Sequence, residues 1–474
     1  MKKENGTSNS PQNTADDAPK TNRLYSTIWR WHFYSGLYVV PFMVILAVTG
    51  LFMLYGPFVD EWTYARQLSV KPVGQPAPYI DQLNSALAAY PDSQVTRFRP
   101  NVAPDRSSVA SLSTGDGQDI DVYIDPYTAE VLGTIDHETR IETIATNIHG
   151  TLLIGDFGDR LLEVAAGLGV LLLVSGIYLW WPKNRSGVGG ILIPRLKQRG
   201  RTLWRDLHAV PAVYGSIGLL FFLISGMSWT GVWGDRYVQA WNTFPAEMWA
   251  DVPKSDKSME SLNRPGEKVV PWNLENSRLP VSGSMAGEPG IPQGMSVNLD
   301  NIVRFVRDNG VDYGFWVAFP QEEEGVWTVS ASSMSGDVTD ARKDLTLHID
   351  RYTGRLLVMV GWDQYGLGAK AMAWGVAMHQ GDLGVWNLAL NTLFCSFVLL
   401  LCTSAVVMWW RRRPAGANRL VAPPMPTAAS WPAVLVMMVV LGALFPLAGL
   451  VLFTVVVLDA VLISRIPRVK QWLS

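Results

Sequence analysis

The stretch FYSGLYVVPFMVILAVTGLFMLY, residues 33–55, contains no Asp, Glu, Lys or Arg over 23 positions. A helix of about 20 apolar residues, with about 1.5 Å of rise per residue, crosses the hydrocarbon core of a bilayer. Three further runs are equally free of charge: 164–181, 209–233 and 383–410. Together they predict four long transmembrane helices, so the predicted fold class is a polytopic α-helical membrane protein.

A fifth apolar stretch, 431–463, is interrupted only by Asp459 and has Pro446 near its middle. Proline lacks the N–H that a helix interior uses, so the stretch is either one long helix or a helical hairpin turned near Phe445 and Pro446. The basic tail that follows it, 464–474, favours the hairpin, because Lys and Arg near the ends of spans are enriched in the cytoplasm.

The charges of the loops predict which side of the membrane each one faces. Segment 183–206 carries seven Lys or Arg and one acid, and three arginines at 411–413 follow the fourth apolar run directly. The positive-inside rule places both, and the N-terminus, in the cytoplasm. Segment 60–147 has 13 acids and six bases. Because the spans alternate in direction, it faces outward, as does the long segment between the third and fourth runs.

These signals divide the chain into eleven predicted segments. In chain order they are a disordered cytoplasmic N-terminus (1–24), the first transmembrane helix (25–56), a first outward α+β domain (57–145), the second transmembrane helix with a preceding His segment (146–182), a basic cytoplasmic loop (183–203), the third transmembrane helix (204–234), a second outward α+β domain (235–368), the fourth transmembrane helix with a preceding His segment (369–411), a cytoplasmic linker (412–430), a hydrophobic helix or hairpin (431–463) and a basic tail (464–474). The formal net charge is −2, and no motif of the sequence predicts a nucleic-acid partner.

The two halves of the chain carry the same pattern of residues. The first span opens with WRWHFYSG and the third with WRDLHAVP, and in each a histidine, His32 or His208, precedes a glycine by 18 positions. Ahead of the second and fourth spans, His149 and His379 lie 31 and 30 positions before a Trp-Trp pair. Since each half crosses the membrane twice, the pattern predicts a duplicated parallel repeat.

The outward segments share a second pattern. DVYIDPYTAEVLGTID (121–136) and LTLHIDRYTGRLLVMVG (345–361) each contain a strand, a turn and another strand, which predicts a β-hairpin in each domain. These Ile-Asp-x-Tyr-Thr turns, the Trp-Arg-Asp-Leu-His entry to the third span and the Trp-Trp-Pro exit from the second resemble the PepSY-associated transmembrane family. The resemblance implies two PepSY-like periplasmic domains on a protein of the bacterial inner membrane. Better understood members of the family include ferrisiderophore reductases that contain haem.

Four of the six histidines lie at the ends of predicted spans. In this topology His32 and His208 lie near the cytoplasmic face, and His149 and His379 near the periplasmic face. The resemblance implies haem b, whose iron takes an axial ligand on each side of the macrocycle. We therefore expect two haems per chain, with His32 and His208 as axial ligands of the cytoplasmic-side iron and His149 and His379 as those of the periplasmic-side iron. A lone histidine at a membrane boundary is more often a hydrogen-bonded interface residue, and the duplicated spacing favours ligation here.

The other charged and titratable residues near the spans carry less information. Arg30 and Arg205 each follow the tryptophan of an entry motif. They are predicted either as partners of haem propionates, because Arg pairs with a carboxylate bidentately, or as anchors at the headgroup level. His137 and His348 lie in the outward segments without counterparts, and we assign them no role. No catalytic residue is assigned.

Two haems near opposite faces would carry electrons across the bilayer. The resemblance implies that the acceptor is a periplasmic ferric siderophore, reduced from Fe(III) to Fe(II) for iron uptake, which makes the protein an oxidoreductase. The sequence does not specify the electron donor, which is a quinol, a reduced flavin or a reductase. Two alternatives stay open: a non-enzymatic regulator whose PepSY-like domains bind a peptide or protease, and a siderophore permease.

Overall fold

The computed structural model describes residues 23–461, 465 and 466, except positions 116, 137, 183–186, 235–248, 250, 264–268, 417, 418 and 424–430. The predicted disordered segment 1–24 thus lies outside the described residues apart from its last two positions, and so does most of the tail 464–474. The chain divides into two compact units. One comprises the described parts of Met1–Val40, Gly167–Tyr214 and Ser404–Ser474, and the other comprises those of Pro41–Ala166 and Gly215–Thr403.

Helices and strands alternate in blocks along the described chain. The helices are α1 (Arg23–Thr63), α2 (Ala65–Leu68), α3 (Tyr79–Ala89), α4 (Ile141–Thr151), α5 (Gly155–Trp180), α6 (Gly200–Tyr214), α7 (Ser216–Met227), α8 (Leu299–Asp308), α9 (Leu367–Gln380), α10 (Val385–Arg412), α11 (Trp431–Leu444) and α12 (Pro446–Val461). The strands are β1 (Gln94–Arg99), β2 (Ser108–Ser113), β3 (Asp119–Ile124), β4 (Val131–Asp136), β5 (Lys254–Ser258), β6 (Arg278–Pro280), β7 (Trp316–Ala318), β8 (Val326–Ala331), β9 (Leu345–Asp350) and β10 (Leu356–Gly361).

Three of the described helices, α1, α5 and α10, are long and apolar enough to cross a membrane, with 41, 26 and 28 residues. They contain the first apolar run of the sequence and all but one or two residues of the second and fourth. Much of their surface is apolar and exposed, as in Phe52 and Val174. Such surface is stable against lipid and costly against water, so these helices make the chain a membrane protein.

The third predicted span, 204–234, is not one continuous helix. Its residues form α6 and α7, which meet at a bend of 67° around Gly215. Pro211 removes one backbone donor shortly before the bend. A Cβ on Gly215 would lie 2.3 Å from the ring of Phe397, so any other residue here would force that ring to move. The described residues thus hold three candidate spans, or four if the bent pair counts as one.

The C-terminal apolar stretch is a helical hairpin rather than one long helix. Helix α11 ends just before Phe445, helix α12 begins at Pro446, and the two helices pack against each other. A Cβ on Gly449 would lie 2.3 Å from the Cα of Gly442. The two glycines therefore let the helix backbones approach closely, as small residues do in membranes.

The two segments predicted to face outward join into a single eight-stranded antiparallel sheet, with the order β10-β9-β8-β7-β1-β2-β3-β4. The join is the antiparallel pairing of β1 with β7, where Arg97 faces Ala318 and Phe98 faces Val317. Each half contributes four strands, arranged symmetrically about this pair. The prediction of two separate domains, 57–145 and 235–368, is therefore corrected to one shared sheet. A separate pair, β5 and β6, lies in the second segment.

One hydrophobic core serves both halves of the sheet. Phe98 of β1 and Phe315 next to β7 are fully buried in it, together with residues of α3 and α8. The two helices are also joined directly, because the Asp300 carboxylate accepts hydrogen bonds from the backbone N–H groups of Tyr79 at 2.7 Å and Ile80 at 3.1 Å. This bond caps the N-terminus of α3 with a residue from the other half.

Asp344, just before β9, makes the stability of the sheet depend on pH. Its Oδ1 accepts a hydrogen bond from Ser333 N at 2.7 Å, and its Oδ2 has no partner within the described chain. Burial raises the pKa of Asp344 from 3.8 to about 6, and the nearby Asp337 and Asp340 add repulsion. Because the folded pKa lies above the unfolded one, the stabilising effect is complete below about pH 4 and is lost as the pH rises through about 6.

We expect Asp344→Asn to stabilise the protein at neutral pH. The amide keeps the Oδ1 acceptor and removes the buried charge, so the gain at about pH 7.5 is about 1 to 3 kcal/mol. Thermal unfolding followed by circular dichroism at several pH values measures it, and the gain should vanish near pH 4. Asp308→Asn, on an exposed position of α8, is the control. An equal gain in both variants, or a gain independent of pH, would contradict the role of Asp344.

Candidate functional site

The predicted periplasmic-side pair is His149 and His379, which lie near the C-terminal ends of α4 and α9. Their ring centroids are 6.5 Å apart, and the ring planes are inclined at 87°. Two imidazoles on opposite sides of one metal ion, each with a bond of about 2 Å, have ring centroids about 6 to 6.5 Å apart. Each ring can rotate about its own bond, so the angle is compatible with ligation. The pair therefore fits a haem iron.

Each histidine of this pair is held by a hydroxyl group and faces a glycine. The Nδ1 atom of His149 lies 2.9 Å from Thr49 Oγ1, and that of His379 lies 2.7 Å from Ser225 Oγ. Gly50 follows Thr49 in the sequence, and Gly226 follows Ser225. A Cβ on Gly50 would lie 3.8 Å from Cε1 of His149, and a Cβ on Gly226 would lie 3.4 Å from Cε1 of His379. A side chain at either position would stand in van der Waals contact with the imidazole, and glycine leaves that space beside each ring open.

Aromatic side chains form an apolar wall beside His379. The Phe222 ring lies 4.9 Å from the imidazole, and the Trp229 ring lies 5.7 Å away at nearly a right angle. Phe394 of α10 stacks on Phe222 at 4.1 Å. Cofactor sites are mostly apolar with a few placed polar groups, which is the composition found here.

Two buried asparagines, which the sequence analysis did not identify, fix the end of α9. The Asn391 side chain donates to the carbonyl groups of Met378 and His379, both at 2.9 Å. The Asn387 side chain donates to Met378 O at 3.0 Å. Both asparagines stand on α10, so this helix holds the backbone of His379 in place. Their spacing of four positions, one helical turn within an apolar span, is the signal that could have revealed them.

The predicted cytoplasmic-side pair is His32 of α1 and His208 of α6, and both belong to the other compact unit. The Nδ1 atom of His32 lies 2.9 Å from Ser175 Oγ, and that of His208 lies 3.1 Å from Ser404 Oγ. A Cβ on Gly176 would lie 3.3 Å from His32 Cε1. The hydroxyl contacts repeat those of the first pair, and the glycine is repeated beside His32.

Both predicted propionate partners contact protein groups. Arg30 donates from Nη1 to Pro423 O at 2.5 Å and from Nη2 to the Tyr34 hydroxyl at 2.9 Å. Arg205 donates from Nη2 to Asp206 Oδ1 at 2.7 Å, and the same buried carboxylate accepts a hydrogen bond from Arg195 Nε at 2.7 Å. The contacts of Arg195 with Asp206 hold the loop before α6 to that helix. A propionate role for either arginine stays a prediction.

The remaining histidines differ from these four. His348 lies in β9, fully buried, with Nδ1 at 2.9 Å from Thr328 Oγ1. Burial lowers the pKa of His348 to about 3, so it is a neutral residue of the sheet interior. His137 lies outside the described residues. Within the described ranges no three His, Cys, Asp or Glu side chains converge as a metal site.

A comparison with protein-family models gives a match over most of the chain. The model described as "PepSY-associated TM region" covers residues 29–412, which include both histidine pairs and the whole eight-stranded sheet. No curated protein is similar enough to the chain to count as a match. Because the match extends over far more than half of the 474 residues, the chain belongs to the PepSY-associated TM region family.

Proposed function

We propose that this protein is a di-haem electron-transfer protein of the bacterial inner membrane, which reduces a periplasmic ferric siderophore. The observation that carries the proposal is the separation of 6.5 Å between the rings of His149 and His379. In the proposal these two residues hold one haem b, and His32 and His208 hold the second. The N-terminus is cytoplasmic and the sheet is periplasmic, as the loop charges predict.

The bound haem iron would supply the redox chemistry, since it can alternate between the ferric and ferrous states. The residues of the chain bind and orient each macrocycle. The histidines would hold the iron, the glycines would leave space for the macrocycle, and Phe222 and Trp229 would exclude water on one side. Exclusion of water and the hydrogen bonds of the ligands set the reduction potential.

The electron acceptor follows from the resemblance of the sequence to ferrisiderophore reductases. Hard oxygen donors hold Fe(III) much more strongly than Fe(II), so reduction would release the metal at the periplasmic face. The proposed donor supplies electrons on the cytoplasmic or membrane side, and a quinol, a reduced flavin and a reductase are its candidates. Each electron taken from the donor reduces one Fe(III).

The proposal is tested by haem content and by reoxidation. We expect the purified chain to show a Soret band and a pyridine haemochrome value of two haems b per chain. After reduction with dithionite and removal of excess reductant, a ferric hydroxamate or catecholate should reoxidise it, and ferrous chelators should trap Fe(II). Iron-free siderophore is the control.

Three other outcomes would contradict the proposal. A colourless protein that binds no added haem would instead support a peptide-binding regulator. Siderophore uptake into vesicles without reoxidation of haem would support a permease. The protein could hold two haems that are reoxidised by other oxidants but not by ferric siderophores. That result would mean that the same electron route serves a different acceptor.

A further inference from the structure

The four candidate ligands share a hydrogen bond to a Ser or Thr hydroxyl, and three of these hydroxyls make a second hydrogen bond within their own helix. Thr49 Oγ1 donates to Ile45 O at 2.8 Å, Ser175 Oγ to Leu171 O at 2.6 Å, and Ser225 Oγ to Phe221 O at 2.7 Å. Each acceptor is the carbonyl four residues earlier on the same helix, a common bond for Ser and Thr within helices. These three hydroxyls therefore use their single proton within their own helix.

This second bond decides the protonation of the imidazole. A hydroxyl has one proton to donate, and in these three residues the carbonyl receives it. The hydroxyl oxygen must then accept from the histidine, so Nδ1 carries the hydrogen of the neutral ring. The lone pair is left on Nε2, the atom through which such a histidine binds a metal. The imidazole thus donates to the hydroxyl, and the hydroxyl donates to the carbonyl.

We infer that Thr49, Ser175, Ser225 and Ser404 are positioning residues, which fix the tautomer and orientation of the haem ligands and tune their basicity. The inference rests on the proposed function. It extends to Ser404 because its Oγ makes the same contact, at 3.1 Å, with Nδ1 of His208. None of the four residues would touch iron, and each would act through its histidine.

The positions of the four hydroxyls follow the duplication of the sequence. Thr49 follows His32, and Ser225 follows His208, by the same 17 positions. In the first half, the span that carries His32 also carries Thr49, whose hydroxyl contacts His149. In the second half, the span that carries His208 also carries Ser225, whose hydroxyl contacts His379. Every proposed haem, however, takes one histidine from each half. A hydroxyl of one half thus tunes an iron that both halves share.

The test replaces Ser225, whose hydrogen bond to His379 is the shortest of the four. In Ser225→Ala the Nδ1–H loses its acceptor, the ligand becomes less basic, and the ferrous state is relatively favoured. We expect one haem to shift to a higher midpoint potential with changed electron paramagnetic resonance g-values. Transfer of that haem to an apo-globin should be faster by about 10-fold to 100-fold. Ser225→Thr keeps the hydroxyl and should restore wild-type values.

The matched control is Ser396→Ala. Ser396 makes the same bond to the carbonyl four residues earlier, at 2.9 Å, on an exposed face of α10, so its loss should change neither haem. Nitrogen-15 solid-state spectra of histidine-labelled protein report the tautomer directly, with or without haem. The His379 signal should show Nδ1–H in wild type and a mixture of tautomers in Ser225→Ala.

The outcomes separate this inference from the proposed function. If the wild type holds two haems, but Ser225→Ala matches Ser396→Ala in potential, haem transfer and tautomer, the inference is wrong and the electron-transfer function stands. If the wild type holds no haem, the proposed function fails, and the nitrogen spectra still decide whether Ser225 fixes the tautomer of His379.

Discussion

Replacing His379 with alanine is expected to lower the haem content from two per chain to one. The residue is partly buried, its Nδ1 contacts Ser225 of α7, and its ring faces that of His149. Asn391 of α10 holds its backbone carbonyl, and alanine offers no ligand for iron. A haem held by one imidazole alone would be bound more weakly and would be accessible to solvent. Pyridine haemochrome analysis of the monodisperse fraction measures the loss. On the proposed function, reduction of the ferric siderophore by electrons from the cytoplasmic side should stop.

Double variants turn this result into a test of the pairing. His149→Ala with His379→Ala removes two ligands of the same iron, so the chain should still hold one haem. His32→Ala with His379→Ala removes one ligand from each pair, so the chain should hold none. Effects within a shared site are non-additive, whereas those at separate sites add. Equal haem contents in the two double variants would contradict the pairs as assigned.

His348→Ala is the matched control for these experiments. His348 is fully buried, more completely than His379, and it lies in β9 of the sheet. Its loss should lower the stability of the sheet and leave both haems in place. A loss of haem in this variant would mean that haem content reports general misfolding, and the pairing would then rest on the double variants.

The apolar spans and the histidines could be predicted from the sequence because each signal is local. A charge-free run of 23 residues needs no knowledge of its neighbours to indicate a span. The bend at Gly215 could not be predicted, because a run of residues without charges does not indicate whether its helix is straight or bent. The repeated spacing from histidine to glycine identifies Gly50 and Gly226. It gives no reason to single out the hydroxyl residue one position before each glycine. Only the fold shows that Thr49 and Ser225 point at an imidazole.

The single sheet could not be predicted, for a different reason. Alternation of apolar residues identifies a strand and its buried face, and this was enough to locate the hairpins around 121–136 and 345–361. It does not identify the neighbouring strand. The pairing of Arg97 with Ala318 joins residues about 220 positions apart, and β7 is only three residues long. The sequence therefore predicted the two halves but not their fusion.

This fusion leads to the second large expected effect, in the variant Phe98→Ala. Phe98 is fully buried, and it stands on the strand that joins the halves, directly opposite Val317. Removing a buried phenylalanine ring typically costs about 3 to 5 kcal/mol, because apolar contacts are lost and a cavity remains. Since the core is shared, the cost should fall on both halves together. The sheet should unfold as one cooperative unit at a lower denaturant concentration.

Hydrogen exchange on the full chain in detergent or nanodiscs measures this effect strand by strand. In Phe98→Ala, protection should fall by the same free energy in β2, on one side of the join, and in β9, on the other. Val73→Ala, at a position 68% exposed in the same half, should change neither. Loss of protection in β1–β4 alone would show that the halves are independent domains. Equal loss in both would mean that the duplicated segments are stable only together, so the sheet needs both halves just as each proposed haem does.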